Sequence, residues 1–265
     1  MKVVVVIQAR TGSTRLPGKV LLPAAGAPLL ARMVERVRAA RTPSHIVVAT
    51  TTLAADDEVA ALARAAGAMV VRGHPTDLLD RHVAAARATG AEAIAKIPSD
   101  CPLIDPAVID RVIEAFASLS ALDGVDYVSN LHPVTWPDGF DVEVMTRGAL
   151  ETAWREATRP LEREHTTPFL WDNPDRFVCH NVRWEGGADH AASCRLTLDY
   201  PEDYVVIRGI YDALWSPHRP FTLADIIELL AARPALRLAN ARHFGSSWYH
   251  HHPGELRTLA REGAP

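Results

Sequence analysis

From Gln8 to Lys19 the chain reads Gln-Ala-Arg-Thr-Gly-Ser-Thr-Arg-Leu-Pro-Gly-Lys, and no acidic residue occurs before Glu35. Three cations, Arg10, Arg15 and Lys19, stand among Gly12, Gly18 and the hydroxyls of Thr11, Ser13 and Thr14. Glycines let backbone N–H groups approach a phosphate, and the cations neutralise its charge. The stretch therefore suits an anion, the plainer alternative being a solvated basic turn. A P-loop needs four residues between its first glycine and a Gly-Lys pair followed by Ser or Thr. Here five intervene between Gly12 and Gly18, and Val20 follows Lys19. The G-x-G-x-x-G dinucleotide fingerprint is also missing.

Two aspartates follow apolar runs. Asp100 ends Lys96-Ile-Pro-Ser-Asp and Asp199 ends Arg195-Leu-Thr-Leu-Asp. Mg²⁺ takes one or two carboxylates together with phosphate oxygens and water, and these two would serve if their strands lie side by side. Read singly, Asp100 fits a turn and Asp199 fits a cap for a helix beginning near Pro201. In Pro137 to Val144, Asp141 and Glu143 share one strand face, with Val142 and Val144 on the other. That pattern describes either a solvated edge strand or one that the Asp138-Gly139 turn aims at a cleft. Arg163-Glu164-His165 lies in a helical stretch ahead of Thr166, Thr167 and Pro168. Cys101, Cys179 and Cys194 lack C-x-x-C spacing, which argues against structural zinc. His250, His251 and His252 are adjacent and read as a solvated tail. No G-x-S-x-G elbow is present.

These groups need a scaffold, and the first 120 residues supply a rhythm. Strands are expected at Val3 to Ile7, His45 to Ala49, Ala68 to Val71 and Ala93 to Ile97. Helices are expected at Pro28 to Ala40, Asp56 to Ala66, Asp77 to Ala88 and Pro106 to Ser118. Four β-α units with fully apolar strands predict an α/β fold, a doubly wound, mostly parallel sheet. The loop after the first strand then sits at the carboxyl edge, where open α/β sheets bind ligands. Further strands are expected at Tyr127 to Ser129, Phe140 to Met145, Phe177 to Val182 and Arg195 to Leu198. Helices are expected at Arg147 to Ala157, Pro160 to Trp171 and Pro201 to Leu214. Thr222 is placed to cap a helix over Leu223 to Ala231, which Pro234 should stop.

The chain's 265 residues are 48% hydrophobic with three Cys, which excludes disorder and a disulfide scaffold. No apolar run reaches the roughly 18 to 20 residues of a membrane span, and MKVVVVIQAR turns polar too early for a signal peptide. A net charge of −4 gives no general attraction to nucleic acid or membrane. The expectation is a soluble, cytoplasmic protein.

The loop resembles the sugar nucleotidyltransferase signature R-x-G-S-x-R-L-P-x-K. Within that class the chain resembles the cytidylyltransferases that activate 3-deoxy-octulosonate and acylneuraminate sugars, closest to the spore coat polysaccharide biosynthesis protein F group. Supporting segments are Asp100-Cys-Pro-Leu-Ile-Asp105, Asp199-Tyr-Pro-Glu-Asp203, Asp138-Gly-Phe-Asp-Val-Glu-Val144, Glu162-Arg-Glu-His165 and Leu79-Asp80-Arg81. Ser99 stands where glycine is usual. The resemblance spans roughly residues 1 to 215 and implies a nucleotide-diphospho-sugar transferase-like domain over 1–218. Residues 127–185 would form a strand-rich acceptor and dimerisation region holding Trp136, Trp171 and Trp184, and 219–265 a helical extension. It implies CMP transfer from CTP to an acidic or related sugar, for surface polysaccharide or glycoconjugate synthesis, in a homodimer. Nucleotide ligands would be Gln8, Ala9, Arg10, Gly12, Ser13, Arg15, Lys19, Asp80, Arg81 and Ser99. Asp100 and Asp199 would hold Mg²⁺ and act with Arg15 and Lys19 in catalysis. Asp141, Glu143, Arg163 and His165 would face the sugar, Arg163 taking an acid's carboxylate. The alternative is a glycosyltransferase using a nucleotide sugar, since the same fold serves both.

Overall fold

A computed structural model describes residues 1–122, 124–185, 193–246 and 255–256; His250 to His252 fall outside them. Strands β1 (Val3–Gln8), β4 (His45–Thr51), β5 (Met69–Gly73) and β6 (Ala93–Pro98) run parallel, with a two-residue hairpin, β2 (Pro23–Ala24) and β3 (Ala27–Pro28), after the first loop. Helices α1 (Leu29–Arg38), α2 (Asp57–Ala65), α3 (Leu78–Thr89) and α4 (Pro106–Leu122) follow the four parallel strands in turn. Strands β7 (Tyr127–Ser129), β8 (Glu143–Thr146) and β9 (Cys179–Asn181) then extend the sheet in the order β5-β4-β1-β6-β8-β7-β9. β8 is antiparallel to both neighbours. The remaining helices are α5 (Arg147–Glu156), α6 (Pro160–His165), α7 (Pro168–Trp171), α8 (Pro201–Leu214), α9 (Leu223–Ala232) and α10 (Pro234–Arg237).

Alternation along β1 explains its apolar run. Val3, Val5 and Ile7 enter one core with α1, α4, α8 and α9, whereas Val4 and Val6 enter a second with α3, α5 and α7. A strand covered on both faces has no polar side to show. Trp136 and Trp171 are 3% and 4% exposed, and Trp136 meets Trp184 edge-on at 4.9 Å. Trp136 and Trp171 are thus buried within the chain itself. α9 is no loose tail: Leu223, Ile226 and Leu230 share the first core, and buried Arg36 donates to the Phe221 carbonyl at 2.8 Å.

Several elements depart from the sequence expectation. Arg195 to Leu198 is an extended run with one bridge, to Asp138, rather than a sheet strand. Its amides go to loop carbonyls, Leu196 to Asp138 and Leu198 to Asp100, both at 2.8 Å. β8 begins only at Glu143, because the Asn130 side chain takes the Phe140 carbonyl (2.7 Å) and Val142 amide (2.9 Å) that a ladder would use. Pro160 to Trp171 splits into α6 and α7 at Thr166, whose φ is 71°. Pro234 opens α10 at its first position instead of only ending α9.

Candidate active site

The parallel strands deliver their carboxyl ends to one cavity of about 700 Å³. β1 ends at Gln8, and the loop from Ala9 to Gly18 curls over the edge. Ser13 and Gly18 both donate their amides to the Thr11 carbonyl, at 2.8 and 3.0 Å, and Gly18 takes φ 67°. A β-carbon would strain that conformation, so glycine is needed there. Asp56, 2% exposed, pins the loop from outside by accepting from the Thr11 amide (2.7 Å) and hydroxyl (2.8 Å). Those bonds, with one from Thr51, outweigh burial and hold the Asp56 carboxyl below its ordinary range. Gly12, Ser13, Thr14, Arg15 and Lys19 consequently face the cavity with Gln8, Ala9 and Arg10.

Opposite the loop, Asp100 follows β6 and Asp199 ends the extended run. Strand pairing does not join them. The Leu198 amide and Thr197 hydroxyl both donate to the Asp100 carbonyl, at 2.8 and 3.1 Å, which lays one segment on the other. Lys19 Nζ lies 3.4 Å from Asp100 Oδ2 and 3.0 Å from Asp199 Oδ1, while Arg15 reaches Asp199 Oδ1 at 2.8 Å. Burial alone would lower Lys19, but the two carboxylates more than offset it and hold the ammonium above its usual range. Burial likewise opposes ionised Asp199, and Lys19 with Arg15 overcomes it, keeping that carboxyl low. Two carboxylates that share one cation beside a phosphate-type loop form a donor set that fits Mg²⁺. Ser99 lines the cavity without a left-handed backbone, so the replacement of glycine imposes no strain.

Beneath Asp199 lies a network that the sequence reading passed over. Asp203, wholly buried, accepts from the Asp199 and Tyr200 amides, both at 2.9 Å. It therefore caps α8, the role one alternative gave to Asp199. Arg195, 4% exposed, donates to Asp203 (3.0 Å), Asp138 (2.9 Å) and Asp199 (3.3 Å). Burial pushes Asp138 up to about 7, with Arg195 pulling against it and Asp100 and Asp199 adding to the rise. The one hint in the sequence was four-residue spacing, Arg195-x-x-x-Asp199-x-x-x-Asp203, across a segment that looked like a plain strand.

The other end of the cavity is walled by Leu131, His132, Trp136, Asp141, Glu143, His165, Thr167 and Trp171. Asp141 is raised well above the usual carboxyl range by burial and then by Asp138, Asp100 and Glu143. Glu143 stands across from Lys96 in the β6–β8 register and forms a buried ion pair with it. Tyr127 Oη donates to the other Glu143 oxygen at 2.7 Å. Burial pushes His132 down to about 4, leaving it neutral at pH 7.

Two expected residues lie elsewhere. Arg163 is absent from the cavity wall: its guanidinium pairs with Asp77 and donates to the Trp154 carbonyl at 2.6 Å, tying α6 to α3 and α5. In this arrangement its charge is met by Asp77. Asp80 accepts from Trp154 Nε1 at 2.9 Å on the outer side of α3. Its neighbour Arg81 does face the cavity, 3% exposed, and burial together with Arg10 lowers it to about 10. Gln8 Oε1 and Arg81 Nε are both buried without a hydrogen-bond partner.

A mostly parallel α/β sheet with a cationic glycine loop at its carboxyl edge and a facing carboxylate pair defines an enzyme that works on nucleotide phosphates. The chain belongs to the cytidylyltransferase family, whose profile matches residues 4–213. It is 32% identical over 237 residues to the spore coat polysaccharide biosynthesis protein SpsF of Bacillus subtilis, covering 86% of this chain and 94% of that one. Over 125 residues it is 40% identical to the 3-deoxy-manno-octulosonate cytidylyltransferase of Geobacter sulfurreducens, covering 46% and 48%. A solved cytidylyltransferase from Leptospira borgpetersenii superposes with a TM-score of 0.83 at 32% identity, over 94% of this chain and all of that one. The protein is thus a nucleotidyltransferase with a fold shared across that family. Among the described residues no helix is long and apolar enough to cross a membrane.

Proposed function

We propose that the protein transfers CMP from CTP to a sugar hydroxyl, releasing pyrophosphate for the synthesis of a surface glycoconjugate. The observation that carries this is Lys19, held between Asp100 and Asp199 at the mouth of the glycine loop. A triphosphate laid along the loop would meet Arg10, Arg15, Lys19 and the amides around Ser13. The acceptor hydroxyl oxygen attacks the α-phosphorus in line and gives up its proton to water, the new P–O bond forms, and the bond to the β-phosphate breaks. Arg15 and Lys19 hold the departing pyrophosphate, and no covalent enzyme intermediate is needed. Asp100 and Asp199 would hold Mg²⁺, which when bound supplies positive charge to the phosphate oxygens.

The vacant hydrogen-bonding capacity of Gln8 and Arg81 suits cytosine. Gln8 Oε1 can accept from an exocyclic amine, and Arg81 can donate to a ring nitrogen or carbonyl. Uracil presents a carbonyl in place of that amine, which Gln8 would meet only by turning its Nε2 toward the base. With Arg163 committed to Asp77, the acceptor is met by Asp141, His132, His165 and Thr167. The ulosonic acids handled by the Geobacter relative are the first acceptors to screen, neutral sugars the second. A homodimer is part of this reading, and sedimentation would report it.

The test is thermal stabilisation by CTP, UTP, ATP, GTP and UDP-glucose, with and without Mg²⁺, in wild type and Asp100→Ala. A ligand at about 100 times its Kd adds about 2.7 kcal/mol to native stability. CTP should raise the melting temperature by several degrees only with Mg²⁺, and Asp100→Ala should abolish the shift. Stabilisation by UDP-glucose instead would favour glycosyl transfer. No shift with any nucleotide would refute the reading.

A further inference from the structure

The family match ends at residue 213, yet the chain returns to the site about thirty residues later. Asn240, 1% exposed, donates through Nδ2 to the Arg195 carbonyl at 3.0 Å and to Asp203 Oδ1 at 2.8 Å. Six residues on, the Ser246 carbonyl accepts from Arg195 Nη1 at 2.9 Å, the nitrogen that also serves Asp138. Between these anchors His243 lies flat on the Tyr200 ring, with centroids 3.9 Å apart and planes 1° from parallel. The Arg15 guanidinium stands 5.3 Å from that same ring. Glu202 holds His243 from the side at 3.4 Å and pairs with Arg242. Phe244, Gly245 and Ser246 line the cavity itself.

The contacts made to Arg195, Asp203 and Tyr200 fall on groups that touch or adjoin Asp199. Arg195 donates to its carboxylate, Asp203 accepts its backbone amide, and Tyr200 follows it in the chain and packs beside Arg15. Asp199 and Arg15 belong to an extended segment and an open loop, neither of which fixes a side chain to the sub-ångström tolerance that a preorganised site needs. An aromatic stack, the buried Asn240 bonds and the part-buried Ser246 bond supply that restraint.

We propose that residues 240–246 form a positioning strap that sets Asp199 and Arg15 for the triphosphate and its Mg²⁺. This rests on the CTP reading above. The strap donates nothing to the reacting atoms: it acts through Arg195, Asp203 and Tyr200. The predicted signature is weakened nucleotide and metal binding in a chain that still folds.

The experiment compares full-length wild type, His243→Ala, His243→Phe and Asn240→Ala. CTP affinity is titrated at saturating Mg²⁺, Mg²⁺ half-saturation is read at fixed CTP, and melting temperature is recorded alongside. His243→Ala should weaken CTP about three- to tenfold, the worth of one aromatic stack, and raise the Mg²⁺ requirement in step. His243→Phe keeps the stack while losing the Glu202 contact, and should return to within about twofold of wild type. Asn240→Ala should shift the Mg²⁺ requirement more than it shifts kcat. Unchanged affinity in His243→Ala beside a lowered melting temperature would overturn the strap, as would Phe behaving like Ala. If wild type prefers another nucleoside triphosphate, the CTP reading fails and the same series is read with that nucleotide. Wild type binding none refutes both.

Discussion

Replacing Lys96 with Met tests the far end of the cavity, which Lys96 and Glu143 line. Lys96 and Glu143 are 6% and 2% exposed and paired across adjacent strands, with Tyr127 bonded to the second carboxylate oxygen. Burial by itself would raise Glu143 above its ordinary 4.5, and Lys96 more than offsets that, so the carboxyl sits low in the folded protein. Its contribution in wild type is therefore present above pH 4.5 and is lost as pH falls. In Lys96→Met the same carboxylate is buried without its cation, a change that costs about 3–5 kcal/mol. Glu143 then escapes by binding a proton, and at pH 7 protonating a group of ordinary pKa 4.5 costs about 3 kcal/mol. At pH 5 that ceiling drops below about 1 kcal/mol. The folded pKa is now raised, so stability is present at low pH and lost as pH climbs, opposite in sign to wild type. Urea unfolding at pH 5, 6 and 7 should show the gap between variant and wild type widening by about 1 kcal/mol per pH unit. Lys96→Met with Glu143→Gln should remove that slope, because the amide cannot ionise and Tyr127 can still donate to it. A variant within about 1 kcal/mol of wild type at pH 7, or parallel pH profiles, would refute the claim that Lys96 neutralises a buried Glu143 charge.

Gly139 adopts φ 102°, and a β-carbon there would overlap the Leu196 carbonyl and lie 2.6 Å from the Thr197 amide. Gly139→Ala should cost about 3 kcal/mol or more in urea unfolding and lower kcat by displacing the run that aims Asp199. Near-wild-type stability would show that the loop shifts freely. His82 is fully buried, with Nδ1 bonded to the Leu78 carbonyl at 2.9 Å, and burial lowers it to about 3. Its folded pKa lies below the ordinary 6.5, so its contribution holds above pH 6.5 and fades as pH falls, by about 2 kcal/mol at pH 5. His82→Met should flatten that part of the stability profile, and an unchanged profile would contradict a neutral buried imidazole.

Much of the architecture was legible because each local signal had one physical solution. A run such as Val3 to Ile7 can be satisfied only by burial on both faces, and Thr222 formed the expected cap, which Asp225 closes into a box through bonds of 3.1 and 2.8 Å. Local pattern misled where a side chain replaced backbone pairing. Asn130 displaced the start of β8, and loop carbonyls took the amides of residues 196 and 198. The far end of the cavity was legible only in part. Alternation put Asp141 and Glu143 on one face, but strand periodicity says nothing about Lys96 lying opposite Glu143, or about Asp77 holding Arg163.

By itself the sequence determined the alternating β-α order, the anion-suited loop at the end of the first strand, and the two acidic segments available to a metal. Those follow from short-range chemistry: side-chain period, glycine freedom and charge density within a dozen residues. Tertiary structure decided which charges meet. It brought Asp100 and Asp199 together across 99 positions through the Leu198 amide, made Arg195 and Asp203 the support of Asp199, and returned residues 240–246 to the cavity. Such pairings depend on where loops cross the sheet edge, and no local pattern encodes the distance between two residues whose segments are joined only by the fold.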